Sequence, residues 1–468
     1  MVPDQRPTPP SHVPAAAAIL LDQVRAACAT LKIAPTTFGR LSVNDGKLVQ
    51  RLERGGRVTR ATVERVHRFI EDRGAAPAGS LRGTIPGMEP EERPEHVFRF
   101  FDNRQKYLMF VSTSSEKQVI ADLALEELAR AHPRPPAIRL FDAGAGDGTA
   151  LARLMRGLHR QHPAAPVYAV AQEISMENVR LTLEKMHDRF QEHAPTVLAV
   201  TNLRYREAPW LAPARPMPPL VWHEVALTGT TAGEFEEQIA QLGPFLAEHW
   251  HARISARSGN PVYQQPVVLV IYRADQRFLI DPILPRQGAA RADFDLALVS
   301  HAYRAQAPLG FKAGRVLAPL ARALGPGGRL LGVQGHGRDP AMEIVRAIWP
   351  GEDPFADDRH AVLGAVRRAL GPDATEFRFH ALSDARAIVR YAMHLQPSDT
   401  DPPDGEIAAS TLFAAWNAAT YVAQIEDPRL TAAMAQEDYL DATRAALRRH
   451  QGLWFNDEVF VISRGGGG

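Results

Sequence analysis

The stretch Ile138-Arg139-Leu140-Phe141-Asp142-Ala143-Gly144-Ala145-Gly146-Asp147-Gly148-Thr149-Ala150-Leu151 constrains this chain more than any other. An apolar run, short enough to be a buried strand, enters a glycine-rich turn, and a helical pattern follows at once. Glycine lets a backbone turn that sharply and lets a ligand touch main-chain atoms. The helix start behind the turn offers oriented N–H groups to a polar ligand. Such a strand, turn and helix belong to a parallel sheet, because parallel neighbours need a crossover that usually is a helix.

The chain repeats this pattern. Short apolar runs at 138–143, 167–171, 197–200, 296–299 and 329–333 alternate with helical stretches, which predicts an α/β fold with helices on both faces of the sheet. The gap between the third and fourth runs is too long for a simple crossover, so residues 207–292 are expected to form an insertion. Within it, 267–272 and 277–280 read as a hairpin turning at Ala274-Asp275-Gln276. A helix near 359–370, a strand near 377–382, a helical insertion over 384–450 and a closing strand at 458–462 follow. The expected organisation is a disordered segment 1–14, a small all-α domain 15–73, a linker 74–95 and an α/β domain 96–464.

Composition removes several classes of function. The net charge is +1, which gives no global pull toward nucleic acid or membrane. The single cysteine, Cys28, rules out an intrachain disulfide and any Cys-rich zinc or iron–sulfur site. No apolar run reaches the roughly 18–20 residues of a spanning helix. A cytoplasmic protein with no membrane partner is the expectation.

Two further positions extend the glycine loop into a constellation. The second strand ends at Gln172-Glu173, where a carboxylate can accept hydrogen bonds from two ribose hydroxyls. The third ends at Thr201-Asn202, where an amide can reach an adenine edge. The spacing Gly144-x-Gly146-x-Gly148 differs from the dinucleotide fingerprint, whose second and third glycines stand further apart. Another nucleotide, or a tight turn alone, is the competing reading.

These residues resemble the seven-stranded class I S-adenosylmethionine-dependent methyltransferases. Asp142 to Gly148 look like that family's first motif and Glu173 like its acidic ribose ligand. Asn202 stands where the family often has an Asp that binds adenine. Ala323-Leu324-Gly325-Pro326-Gly327-Gly328-Arg329-Leu330 is similar to the turn into its fifth strand. The resemblance covers about 100–390 plus the closing strand. It implies a mostly parallel, doubly wound, Rossmann-like sheet in the order 3-2-1-4-5-7-6 with the last strand antiparallel. It also implies S-adenosyl-L-methionine as cofactor and methyl transfer to an oxygen or nitrogen of a small molecule or protein. The cofactor-binding set it suggests is Tyr107, Ser112, Asp142, Gly144, Gly146, Asp147, Gly148, Glu173, Asn202 and Ser300.

Acceptor groups in such sheets sit at the carboxyl ends of the strands. The fourth strand ends Val299-Ser300-His301-Ala302-Tyr303-Arg304. His301 and Tyr303 are therefore the catalytic candidates, and Arg304 could hold an acidic group. Hydrogen bonding to loop backbone is the plainer role for all three. Residues 100–117 precede the first strand and should cover the cofactor. Ser114 or Ser115 there reads as a helix cap. In the insertion, Trp222, His223 and Glu224 are candidates for acceptor binding. His223 and Glu224 would not share one metal ion, since neighbours on a strand face opposite sides, and no metal site is expected. Cytosine C5 chemistry lacks its cysteine, and no Pro-Pro motif follows the fourth strand, which disfavours methylation of DNA bases.

Residues 31–70 resemble a lambda-repressor-like helix-turn-helix, with Pro35–Val43 as its first helix and 46–54 as the recognition helix. Lys47, Gln50, Arg51 and Arg54 would face DNA. Residues 20–73 carry eleven Lys/Arg against six Asp/Glu, a local surplus in a nearly neutral protein. A protein-docking module has the same features. A second function follows from this domain: a DNA-binding transcriptional regulator whose methyltransferase-like domain senses S-adenosylmethionine. A homodimer fits either reading.

Overall fold

The computed structural model describes residues 20–21, 23–28, 33–43, 45–53, 62, 65–66, 69–70, 98–215, 218–255, 259–400, 405–436 and 438–466. The expected segments 1–14 and 74–95 lie outside them, as does Arg54. The chain divides into two units, Met1–Glu95 and His96–Gly468.

In the first unit, α1 (Pro35–Val43) and α2 (Leu48–Glu53) follow one another across a tight turn. Gly39 permits that turn: a Cβ there would stand 2.2 Å from the carbonyl oxygen of Asp45. Phe38, Leu48, Leu52, Val66 and Ile70 close a small core with Leu20, Val24 and Cys28. Lys47 lies in the turn rather than in a helix.

The second unit is a mixed α/β structure. Helices α3 (Arg104–Thr113) and α4 (Glu116–Arg130) lead into β1 (Ile138–Ala143). Then come α5 (Thr149–Gln161), β2 (Val167–Gln172), α6 (Met176–Glu184) and β3 (Thr196–Thr201). The insertion supplies β4 (Val221–Leu227), α7 (Ala232–Ala240), α8 (Gly243–His249), the short pair β5 (Ala252–Ile254) and β6 (Pro261–Tyr263), and β7 (Val267–Arg273). Next are β8 (Phe294–Ser300), β9 (Leu324–Gly335), α9 (Pro340–Ile348), α10 (Arg359–Leu370), β10 (Phe377–His380) and β11 (Ile388–Ala392). The chain closes with α11 (Ala409–Val422), α12 (Asp427–Met434), α13 (Asp438–His450) and β12 (Trp454–Arg464).

The main sheet has ten strands, not seven, in the order β10-β12-β9-β8-β1-β2-β3-β7-β4, with β11 paired to β12. Inside it, β3-β2-β1-β8-β9-β12-β10 reproduces the expected order 3-2-1-4-5-7-6. The five central strands run parallel, and β12 is antiparallel to β9. The three extra strands come from segments expected to do other things. β7 joins antiparallel to β3 and β4 parallel to β7, so the insertion widens the sheet. β11 interrupts the stretch expected to be helical over 384–450. The expected hairpin partner 277–280 is a helical turn, so β7 pairs with β3 and β4 instead.

Strand period two explains the layering. Phe141 and Ala143 of β1 pack into the core on one face, with Val170, Val197, Val299 and Phe460. Ile138 and Leu140 pack on the other, with Leu151, Leu154, Leu183 and Val459. Each fully buried side chain of this kind contributes about 1.5–3 kcal/mol. A third cluster is aromatic: Phe110, Tyr391, Trp416, Tyr421 and Phe455 join α3, α11 and β11 to the closing strand. It holds α3 above the carboxyl end of β1. Among the described residues no helix is long and apolar enough to cross a membrane.

Candidate functional site at the carboxyl ends of the central strands

The loop leaving β1 has the conformation its glycines permit. Gly144, Gly146 and Gly148 have φ of +74°, +60° and +76°, a region costly to residues with a Cβ. Space is also restricted. A Cβ on Gly146 would stand 2.2 Å from the Tyr107 hydroxyl, and one on Gly148 2.8 Å from Thr182 Cα. Gly148 then starts α5.

Asp147 anchors the loop. The Tyr107 hydroxyl donates to Asp147 Oδ1 at 3.0 Å and accepts the Asp147 N–H at 3.0 Å. Thr149 donates to Oδ2 at 2.5 Å, and Lys185 Nζ lies 3.3 Å from the same oxygen. Burial would push this carboxyl up, but Thr149, Lys185, Lys117 and Tyr107 together hold it below the usual carboxylate range. Burial and the neighbouring Asp147 charge push the Tyr107 phenol well up. Thus α3 is pinned to the loop through one side chain.

Glu173 follows β2 and is buried. Its Oε2 accepts the Gly146 N–H at 2.9 Å and its Oε1 accepts the Ser175 N–H at 2.8 Å. The Trp250 indole donates to the Glu173 carbonyl at 3.2 Å. Burial pushes the Glu173 carboxyl up, against the backbone N–H groups of Ser175 and Gly146. The Asn178 side chain and the Ile174 N–H also favour the ionised carboxylate.

Asp142, the last acid of β1 before the loop, is 4% exposed, and its Oδ2 has no hydrogen-bond partner. Burial pushes its carboxyl up to about 7; Lys117 opposes that, while Glu173 and Asp147 reinforce it. The Ser300 hydroxyl, at the end of β8, is likewise buried without a partner. An unsatisfied buried polar atom costs about 1–3 kcal/mol, and these two lie at the ends of the adjacent strands β1 and β8.

Beside them stands a cluster absent from the sequence reading. His301 follows β8 with φ +50°. Its Nε2 lies 3.0 Å from Asp457 Oδ2 on β12 and 3.3 Å from Glu116 Oε1 at the start of α4. Burial works against the imidazolium, but the Asp457 charge and hydrogen bond, with Glu116, raise the imidazole above its usual range. Lys117 Nζ lies 2.8 Å from Glu116 Oε2 as an ion pair without hydrogen-bond geometry. Asp457 sits inside a strand that is otherwise almost wholly buried, and a carboxylate there was the signal that could have found it. Glu116 follows the serines Ser114 and Ser115, one of which is expected to cap α4. Neither does: Ser115 Oγ donates to the Ala392 carbonyl of β11 and accepts its N–H, and Ser114 Oγ has no partner.

Other expected residues are placed elsewhere. Asn202 spends its amide on backbone, donating to the Gln265 carbonyl at 2.9 Å and accepting the Val267 N–H at 2.8 Å. It ties β3 to the start of β7. Tyr303 is buried, and its hydroxyl donates to Gln334 Oε1 at 3.1 Å. Ser112 is exposed and donates to the Met109 carbonyl of its own helix. It lines an open groove of about 690 Å³ with Lys106, Asp147, Lys185 and Asn417. Arg304 is partly buried near Arg99 and Glu426, and burial lowers its guanidinium.

Trp222, His223 and Glu224 lie on β4, the outermost strand. Four strand spacings separate β4 from β1, roughly 19 Å at about 4.8 Å each. His223 stacks on Phe245, Glu224 accepts from Tyr272 and pairs with Arg277, and Trp222 packs on the core. The residue that reaches the loop from this side is Tyr205. Its hydroxyl donates to the Ala302 carbonyl at 3.0 Å and lies 3.3 Å from where a Gly144 Cβ would be. In the first unit, Lys47 and Gln50 are exposed and Arg51 pairs with Asp45 at 2.9 Å.

No family model and no curated protein matches the chain. Among solved structures it is similar to a geranyl diphosphate methyltransferase in complex with GPP and sinefungin, at 12% identity over 73% of this chain and 78% of that one, TM-score 0.27. A putative sarcosine dimethylglycine methyltransferase from Galdieria sulphuraria matches at 11% identity over 75% and 85%, TM-score 0.28. An uncharacterised protein from Burkholderia thailandensis matches at 13% identity over 99% and 96%, TM-score 0.23. TM-scores this low carry no argument, so the functional reading rests on the sheet order and the site itself.

Proposed function

We propose that this protein is an S-adenosylmethionine-dependent methyltransferase acting on an oxygen or nitrogen of a small molecule or protein. The observation that carries the reading is the bond from the Gly146 N–H to the buried Glu173 carboxylate. It joins a three-glycine turn after β1 to an acid after β2, inside a sheet with the methyltransferase strand order. Glu173 is the acid that would accept from a ribose diol. Asp142, with a free oxygen, can accept from a cationic amine. The group bound there supplies an electrophilic methyl on a sulfonium.

The chain's own residues do the rest. The glycine loop and Glu173 fix the adenosine end. The Tyr107 hydroxyl fills the space over Gly146, so α3 acts as a cover that also keeps water out. His301, Glu116 and Asp457 stand beside the free Ser300 hydroxyl and form the end of the cleft where an acceptor's reactive atom is held in line. A crystal structure with S-adenosylhomocysteine tests this. The expected result is a ribose on Glu173, with the sulfur directed toward His301. A ligand bound away from Glu173 would refute the assignment.

A further inference from the structure

We infer that Glu116, His301 and Asp457 form a binding site for one divalent first-row cation, such as Mn²⁺ or Zn²⁺. The three side chains come from three distant parts of the chain: the start of α4, the end of β8 and the middle of β12. One ligand atom of each lies within 4.8 Å of the other two. His301 Nε2 stands 3.0 Å from Asp457 Oδ2 and 3.3 Å from Glu116 Oε1. Ligand atoms about 2.0–2.2 Å from a shared ion lie roughly 3.0–3.5 Å from one another. The two distances from His301 therefore fall in the range of neighbouring ligands of one ion, and the two carboxylates lie within 4.8 Å of one another.

Burial and unmet valence point the same way. Glu116 is 3% and Asp457 1% exposed. Asp457 Oδ1 lacks a hydrogen-bond partner, while Glu116 Oε2 is ion-paired with Lys117 and leaves Oε1 toward His301. The Tyr391 hydroxyl, on a residue 3% exposed, also lacks a partner. Tyr391 pairs with Phe455 across β11 and β12, and Asp457 is two residues further on the same face. Its phenol feels the charges of Asp457 and Glu116 more than any others. Ser114, two residues before Glu116, adds another buried hydroxyl without a partner. Charge completes the argument. Glu116, Asp142, Asp147, Glu173 and Asp457 are buried acids linked by their charges to one another and to Lys117, and Lys117, Lys185 and His301 are their cationic partners. One imidazole nitrogen with two carboxylates is a donor set that suits Mn²⁺, Fe²⁺ or Zn²⁺.

A metal ion there would serve the acceptor end of the cleft, where it lowers the pKa of a bound hydroxyl. His301 would then be a ligand, and the sequence expectation of no metal site would be overturned. The inference does not need the methyltransferase reading, because the ion is bound by protein atoms alone.

The test uses the full chain, stripped with chelator and without S-adenosylmethionine. Mn²⁺ is titrated and the free ion read by electron paramagnetic resonance. One tight site per chain is expected, weakened at least tenfold in Asp457→Asn and in His301→Gln. Anomalous diffraction from Mn²⁺-soaked wild-type crystals locates the ion without any variant, and a peak within about 2.5 Å of all three side chains is expected. No site tighter than millimolar, a peak elsewhere, or equal affinity in folded variants overturns the proposal. Because cofactor is absent, none of these results bears on cofactor binding.

Discussion

Gly146 carries the tightest local constraint in the cleft. Its φ of +60° and the Tyr107 hydroxyl 2.2 Å from a Cβ position mean that even alanine is strained twice. Gly146→Ala is expected to cost about 1–3 kcal/mol in chemical denaturation. Tyr107→Phe should recover part of that in the double variant, since it removes the clashing oxygen. A neutral Gly146→Ala would show that the loop does not adopt this turn. Asp142 makes a second claim at this scale. Burial pushes its carboxyl from the ordinary 3.8 up to about 7 in the folded chain. A folded value above the unfolded one favours the protonated form. The stability this group contributes is therefore present below about pH 4 and lost as pH rises through about 7. Asn mimics the protonated acid, so Asp142→Asn should gain stability over wild type by on the order of 1–3 kcal/mol between pH 5 and pH 8. A constant gap across that range would contradict the burial argument. These residues were legible in the sequence because glycine spacing and the strand-end acid are local signals. Glu116 and Asp457 were not, because their meaning depends on β12 returning beside β8, which no short window shows.

At the scale of elements, α3 is the piece whose position function should change. It buries Phe110 against Tyr421 and Phe455, and its Tyr107 is bonded to the glycine loop. If a ligand occupies the loop, that bond must open or be replaced. Hydrogen exchange over 104–113 should therefore change on adding S-adenosylmethionine, while β1 and β2 stay fully protected. Unchanged exchange in α3 would mean that it is a fixed part of the core. The central strands were readable from their apolar runs, and the return of β12 from its strong strand pattern. The edge strands were not. β4 alternates partly exposed residues and carries polar His223 and Glu224, so it looked like a pocket wall. Its pairing to β7 is a tertiary choice that periodicity cannot encode. Residues 277–280 look apolar enough for a strand, yet β7 finds both its partners elsewhere in the sheet, and the segment turns as a helix.

At the scale of the whole molecule, the claim is that the sheet brings a nucleotide-binding turn and an acid–imidazole cluster to one end. The strand order makes this unavoidable: β8 lies next to β1, and β9 and then β12 follow. The most direct measurement is calorimetry of the full chain with S-adenosylmethionine. The account predicts saturable binding at one site per chain, weakened by about 1–3 kcal/mol, or roughly 5- to 150-fold, in Glu173→Ala. Absence of binding, or an affinity indifferent to Glu173, would contradict it.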